Sequence, residues 1–388
     1  MNTANSAATK IGTGPCSAQV ANIAELSAAI SGADPGAVIC LKPGVYDAAR
    51  APGEMIQIES RHGQANKPIV LRGQAGVVIT NTGTLDAIYI NRSSYIGLED
   101  LVIQDVFRAV MIDESTRISM SNLLVERTAQ EAIHFRKNTT HSVLINSRIR
   151  DVGVDTKNNH PPMKRFAEAI YIGTARSNWA KVMGSATTPD GSDNNCVSGN
   201  RVGPNIAAEG LDLKEGTRNT YILNNVFDLG GISGHNFADS ALDLKGSAAF
   251  VGHNRFINPA RTYIEKLMRV QSGKDVQISA PGKLNGLITP DAIQTHIVPN
   301  VAESGSHHLV WSNVAHLQSS HRPAGYTQGM LLRIDDEQND SRTPEARGSR
   351  LCQGNSAGND DLLSNIAETV CPDIPVIKAC PDVLMRPM

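Results

Sequence analysis

Between Glu209 and Gly246 one phrase occurs twice, as Gly210-Leu211-Asp212-Leu213-Lys214 and Ala241-Leu242-Asp243-Leu244-Lys245, with the two aspartates 31 residues apart. Self-similarity at a fixed period is the signature of stacked repeats. In each copy leucine alternates with charge, so a strand of period two turns both leucines inward and the Asp and Lys outward. Weaker copies lie upstream at Ala87-Ile88-Tyr89-Ile90, Ala109-Val110-Met111-Ile112, Ala132-Ile133-His134-Phe135 and Ala169-Ile170-Tyr171-Ile172, and downstream at Leu267-Met268-Arg269-Val270. The outward column then runs Tyr89, Met111, His134, Tyr171, Asp212, Asp243, Arg269. A second phrase follows each copy and ends in Asp100, Asn122, Asn146, Asn200, Asn225, Asn254 and later Asn313.

Except on one rung with a long insert, 11 to 13 residues separate column from Asn or Asp. That regular phase predicts an all-β, single-domain, right-handed parallel β-helix, with equivalent residues about 4.8 Å apart along its axis. Asn is expected at its turns, where it tolerates left-handed backbone and hydrogen-bonds within the stack. The small residues before the column (Ala87, Ala109, Ala132, Ala169, Gly210, Ala241) are expected to face outward and leave room on the sheet. Glu131, Glu168 and Glu209 make a further column at the strand entrance.

Composition agrees with a solenoid. The 388 residues are 40% hydrophobic with 33 Gly and 4% aromatic, which suits short strands and many turns. A net charge of −2 gives no electrostatic support to a nucleic-acid partner, and no apolar run approaches membrane-spanning length. Residues 1–20 are expected to be a flexible segment, 21–340 the coil, and 341–388 a C-terminal cap or tail. Ile23, Leu26, Ala29 and Ile30 have helical spacing, stopped by Gly32 and Pro35-Gly36, and predict an amphipathic helix over the open end of the coil. Inserts interrupt the middle and late rungs at Val152 to Phe166, Thr174 to Asn195, Leu229 to Ala238 and Ser272 to His307. Long loops in a compact repeat usually have a function, and these are expected to wall a groove beside the Asp and Lys columns.

None of the six cysteines has zinc-ligand spacing. A Cys16–Cys40 bridge is expected to tie the first cap to the coil, with one more bridge among Cys352, Cys371 and Cys380; buried free thiols are the alternative. Bridges would place folding in an oxidising compartment.

Leu26-Ser27-Ala28-Ala29-Ile30, leading through Asp34-Pro35-Gly36 to Leu41-Lys42-Pro43-Gly44-Val45-Tyr46 and then Lys67-Pro68-Ile69-Val70-Leu71-Arg72, resembles the opening of secreted β-helix polysaccharide lyases, notably the alginate lyase and chondroitinase B group. Later rungs resemble the wider pectate-lyase-like superfamily. The resemblance implies the coil and carbohydrate chemistry. It carries over no catalytic residue, because the lyases' metal-ligand pattern, the Asp-Pro-His signature of related epimerases and the paired aspartates of polygalacturonases have no match here.

From the residues themselves, stacked like charges need relief. For the carboxylates it could be Ca²⁺ or a shared proton; for the lysines, mutual repulsion and Arg269 are expected to lower the pKa and free a neutral amine. A uronate lyase needs these features, since it removes the proton beside a sugar carboxylate. Lys245 or Lys214 would be the base and Arg269 the carboxylate partner, with Tyr171 or His134 returning a proton to the leaving oxygen. Asp212, Asp243, Glu209 and Asp239 would hold the metal, and Arg136, His235, Asn236 and Glu168 would touch the substrate, an acidic polysaccharide. A secreted monomer is the expectation.

Three alternatives stay open. A glycoside hydrolase could use Asp212 and Asp243 at roughly the 5 Å separation of a retaining pair, or Asp239 or Glu209 in a wider inverting one. An adhesin- or tailspike-like module could bind sugar without cutting it, although 2 Trp and 7 Tyr offer few stacking platforms. Asp and Lys could also form a salt-bridge lattice on a solvated face, each pair contributing at most about 1 kcal/mol.

Overall fold

The computed structural model describes residues 14–158, 160–163, 166–232, 238, 240–246, 249–252 and 254–258, then strand segments 266–271, 309–311, 314–317, 330–335, 350–351 and 356–357, and residue 380. Aliphatic residues recur at fixed phase, so each turn of chain supplies one short strand to each of three sheets. Among the described residues these hold eleven, nine and ten strands, every neighbouring pair parallel. The coil is a right-handed parallel β-helix. Ile88, Val110, Ile133, Ile170, Leu211 and Leu242 stack in register down its interior, as do Ile90, Ile112, Phe135, Ile172, Leu213 and Leu244.

The N-terminal end is closed as the spacing predicted. A helix spans Ile23–Ser31, the Asn22 side chain accepts from the Glu25 N–H at 2.9 Å, and Leu26 and Ile30 are buried in the core. The coil starts earlier than expected, because Ala18–Val20 already pairs with Val38–Leu41. Of the expected C-terminal cap, only short strands and residue 380 lie within the described residues.

The single Asn column of the sequence resolves into two. Asp100, Asn122 and Asn146 have left-handed backbone at the corner, joined there by Gly199 and Asn224. Asn200, Asn225 and Asn254 sit one residue later and point inward. Their side-chain oxygens accept backbone N–H groups of the preceding rung, at 2.8 Å from Ser147, 3.0 Å from Asn200 and 3.0 Å from Asn225. The Asn225 amide also donates to the Val197 carbonyl at 3.0 Å, so the ladder satisfies corner groups that water cannot reach.

The small-residue column also differs from expectation. Ala87, Ala109, Ala132, Ala169 and Ala241 are fully buried in the core instead of facing outward. A Cβ added to Gly210 would lie 2.9 Å from the Phe227 ring. Alternation breaks here because this position and the next both turn inward. Small residues are needed where the corner narrows, and the outward position before the break is the Glu column.

The Cys16–Cys40 bridge is present. The second bridge joins Cys196 to Cys380, 184 residues apart, so Cys380 pairs with the coil and not with another C-terminal cysteine. It packs with Val143, Ile145 and Tyr221 on the outer face of the first sheet, which supplies the apolar contact that the coil rungs leave there.

Replacing Asn225 by Ala strands the Asn200 N–H and the Val197 carbonyl, at about 1–3 kcal/mol for each buried group left unpaired. Asn225→Ala is therefore expected to lower the thermal unfolding midpoint by several degrees. The exposed left-handed Asn146→Gly should leave the midpoint nearly unchanged. Equal melting shifts for the two would contradict the division into turn and ladder positions.

Candidate active site

Every pairing of the outward column follows the sequence reading. Tyr89, Met111, His134, Tyr171, Asp212, Asp243 and Arg269 lie on successive strands of one sheet. In the next column Lys214 and Lys245 follow Leu213 and Leu244, and the Lys245 N–H bonds the Leu213 carbonyl at 2.7 Å. Lys245 Nζ lies 3.2 Å from Asp212 Oδ1 and 2.6 Å from Asp243 Oδ2, while Lys214 Nζ pairs with Asp212 Oδ2. Lys214 also rests over the Tyr171 ring, 4.7 Å from its centroid.

Among the described residues, the Asp column does not line the open trench expected along this face. Asp212 and Asp243 expose only 2% and 3% of their surface, and the Lys245 side chain 15%. The lysines fold back across the aspartates, and Lys214 across Tyr171. The solvated salt-bridge lattice is equally absent, because these pairs are buried, where deleting one partner leaves an uncompensated charge.

The lysine pKa values move opposite to expectation. Burial is the largest single influence and disfavours the ammonium of both, but the neighbouring carboxylates together outweigh it and raise both lysines, Asp212 first, then Glu168 at Lys214 and Asp243 at Lys245. Both are cations near neutral pH. Mutual repulsion is the smaller effect: at Lys245 the Lys214 charge counts for less than either Asp212 or Asp243. Burial also works to raise the Asp212 carboxyl, yet the two lysines hold it low; at Asp243 burial prevails over Lys245 and the carboxyl is raised.

Glu131, Glu168 and Glu209, all buried, stack beside this group. Burial pushes Glu131 up to about 7 and Glu168 up to about 8, and raises Glu209 well above the usual range. Among the described residues, the buried Glu131 Oε2 and Glu168 Oε2 have no hydrogen-bond partner. Oxygens of Glu168, Glu209 and Asp212 come within 4.8 Å of one another. These donors suit a hard, oxygen-seeking cation, and the partnerless Glu168 oxygen is free to take it. Asp243 is not part of this cluster, and its Oδ2 already holds the Lys245 ammonium.

His134 and Tyr171 lie between the charged groups. Their ring centroids are 4.3 Å apart. His134 Nε2–H donates to the Gly173 carbonyl at 2.9 Å, and among the described residues Nδ1 has no hydrogen-bond partner, Glu131 Oε1 lying 3.9 Å away. Burial, then Arg136, lowers the His134 pKa to about 3, so the imidazole is neutral. Burial, then Asp212, raises Tyr171 well above its ordinary value and keeps its phenol protonated.

Two inserts flank the column. Met163 N–H bonds the Ala129 carbonyl at 2.7 Å, and the Asn158 amide reaches Thr80 at 2.9 Å, so insert 152–166 lies along the entrance edge. Insert 174–195 docks at the exit edge through buried Asp190, which accepts from Lys137 N–H, Asn138 N–H, Thr174 Oγ1 and Ser192 Oγ at 2.7–2.9 Å. Of the expected site residues, Asp212, Asp243, Glu209, Glu168, Lys214, Lys245, Tyr171 and His134 converge. Arg136 lies in the lysine column two rungs earlier, and only the strand position of Arg269 is described. His235, Asn236 and Asp239, like insert 272–307, lie outside the described residues. Asp86 and Arg108 escaped the sequence reading, although they stand in the Glu column: Arg108 pairs with Asp86 across adjacent strands. Counting three residues back from Tyr89 and Met111 finds both.

No protein-family model matches this chain, and no curated protein matches it. Among solved structures, an alginate lyase from Paenibacillus sp. str. FPU-7 superimposes with a TM-score of 0.68 at 23% identity, over 89% of this chain and 96% of that one. The surface adhesin PfbA of Streptococcus pneumoniae gives 0.52 at 13% identity, over 86% of this chain and 80% of that one. At such identities the likeness is one of fold: this chain has the coil found in β-helix polysaccharide lyases, and an adhesin is built on it too.

Proposed function

We propose that the protein is a secreted polysaccharide lyase that cleaves a uronate-containing polymer by β-elimination. The observation that carries this reading is the convergence on adjacent rungs of two cationic lysines, a neutral imidazole with an unused lone pair, and a protonated phenol. Lys214 and Lys245 neutralise the sugar carboxylate, which acidifies the neighbouring C–H. His134 Nδ1 accepts that proton, its electron pair forms the ring double bond, and the bond to the leaving oxygen breaks as Tyr171 donates its proton there. Acceptor and donor side by side suit removal of both groups from one face of the sugar. Lysine as base, the assignment expected from the sequence, is disfavoured by the charge it carries here. Arg269 is next in register after Asp243.

Glu168, Glu209 and Asp212 would hold Ca²⁺, with Glu131 adjacent; when bound, the ion would supply further positive charge for the substrate carboxylate. The two disulfides favour an oxidising, extracellular setting, and no helix among the described residues is long and apolar enough to cross a membrane.

Digestion of a panel of uronate polymers is expected to yield unsaturated, ultraviolet-absorbing ends. Tyr171→Phe and His134→Ala should each lower the rate by about 10²–10⁴-fold in protein that melts as wild type does, and Lys245→Ala should abolish it. New reducing ends without that absorbance would identify a hydrolase, and neither signal would identify a binding protein. Full activity after exhaustive EDTA treatment would remove the cation from the mechanism.

The glutamate column also sets a pH dependence. Carboxyls raised on folding bind more protons folded than unfolded, so the stability they permit is present below the unfolded value near 4.5 and is lost as pH rises through about 7 to 8. Melting midpoints should fall over that window, and Glu168→Gln should flatten the fall. A midpoint that rises from pH 5 to 8 would show that these carboxyls are ionised in the fold.

A further inference from the structure

Two rungs upstream of the lysines the same sheet carries a second group of cations. Arg108 Nε and Nη2 grip the two oxygens of buried Asp86 across adjacent strands. Arg136 holds buried Asp113 in the same way, Nε at 2.7 Å and Nη2 at 2.8 Å. Asp113 also takes Lys137 Nζ at 3.2 Å and the Tyr89 hydroxyl at 3.1 Å. Counting these ion-paired groups alone, three cations face two carboxylates. In both arginines the buried carboxylate occupies one edge of the guanidinium and leaves the Nη1 edge for another acceptor. The side chains of Arg108, Arg136 and Lys137 are 26%, 24% and 27% exposed, more than any charged group of the lysine–aspartate cluster.

The setting is held in place before any ligand arrives. Arg108 stands at the entrance edge of its strand and Arg136 at the exit edge of the next, flanking Met111 and His134. The Phe107 ring lies 5.6 Å from the Arg108 guanidinium. Phe166 follows Met163, whose N–H bonds Ala129, and stands two residues before Glu168 at the entrance to its strand, with 46% of its surface exposed. Guanidinium edges recognise planar carboxylates, and an aromatic face takes the apolar side of a sugar ring.

We propose that Arg108, Arg136 and Lys137, with Phe166 as an apolar wall, form a separate subsite that binds the carboxylate of another uronate residue on the same polymer, about 10 Å along the axis from Lys214. The proposal rests on the uronate reading of the substrate and deepens it. It gives the chain a direction, toward the N-terminal rungs, and makes cleavage depend on oligomer length. It does not depend on which bond is broken, because the subsite binds and takes no part in proton transfer.

The test is calorimetric titration of the full chain, in the Tyr171→Phe form to prevent turnover, with mannuronate, guluronate and galacturonate hexamers and with the same hexamers after reduction of their carboxyls to alcohols. At least one carboxylated hexamer should bind, its reduced form about tenfold or more weakly. Arg136→Lys and Phe166→Ala, added separately, should each weaken binding by about tenfold; Phe166→Ala should leave the melting midpoint unchanged, whereas Arg136→Lys lowers it by loosening the Asp113 pair. In the catalytic background with Tyr171 intact, both should raise KM and spare kcat. Equal affinity for carboxylated and reduced hexamers, wild-type affinity in both variants, or no binding of any hexamer would overturn the subsite. Unsaturated products formed with unchanged KM in both variants would sink the subsite and leave the lyase standing. Carboxylate-dependent binding that both variants weaken, with no unsaturated product from any polymer, would do the reverse.

Discussion

Parallel, in-register pairing sets each side chain about 4.8 Å from its counterpart on the next rung, so like is stacked on like along the whole coil. For Leu, Ile and Asn this is an advantage. Aliphatic stacks fill the interior, and each Asn of the ladder bonds the rung before it. For charged residues the same register is a burden, and the nine-stranded sheet relieves it in three ways. Arginine on one rung faces aspartate on the neighbouring rung at Asp86–Arg108 and Asp113–Arg136. Lysine reaches across from the next column to Asp212 and Asp243. Glutamate meets glutamate at 131, 168 and 209, where burial shifts the carboxyls toward their neutral form.

The chemistry of the site follows from that arrangement. Because the aspartates hold the lysines charged, the lysines suit anion recognition better than proton abstraction. Because burial, and then Arg136, disfavours the imidazolium, His134 stays neutral and Nδ1 keeps its lone pair beside a phenol that burial keeps protonated. An excess of carboxyl over ammonium makes the same place receptive to protons or to a hard cation.

The twin phrase was enough to read the coil, because its leucines and charges recur at the same phase on each turn. The outward column from Tyr89 to Arg269 could be written from the sequence strand by strand. What could not be read was where period two fails. Ala87 and Ile88 both turn inward, so a strict alternation puts the alanines on the wrong face and passes over Asp86 and Arg108. The paired residues Gly199-Asn200 and Asn224-Asn225 carried a hint of two corner positions, one left-handed and one inward, that a single Asn column conceals. Lysine charge was misjudged for another reason: distances between columns decide whether repulsion or pairing wins, and a repeat shows the order of columns but not where long side chains fold.

The bridge from Cys196 to Cys380 closes a loop of the chain around every strand that follows Cys196. In the first sheet, four strands lie beyond its anchor, ending at Arg350–Leu351. A stack that touches only its nearest neighbours ordinarily frays from its ends, one rung at a time. Here the terminal rungs cannot peel away freely, since the chain on their far side is fastened to the middle of the coil. Reduction would release that fastening first where the stack has the fewest neighbours, so loss of order should travel from the C-terminal end inward and reach the lysine rungs before it reaches the helix at the opposite end.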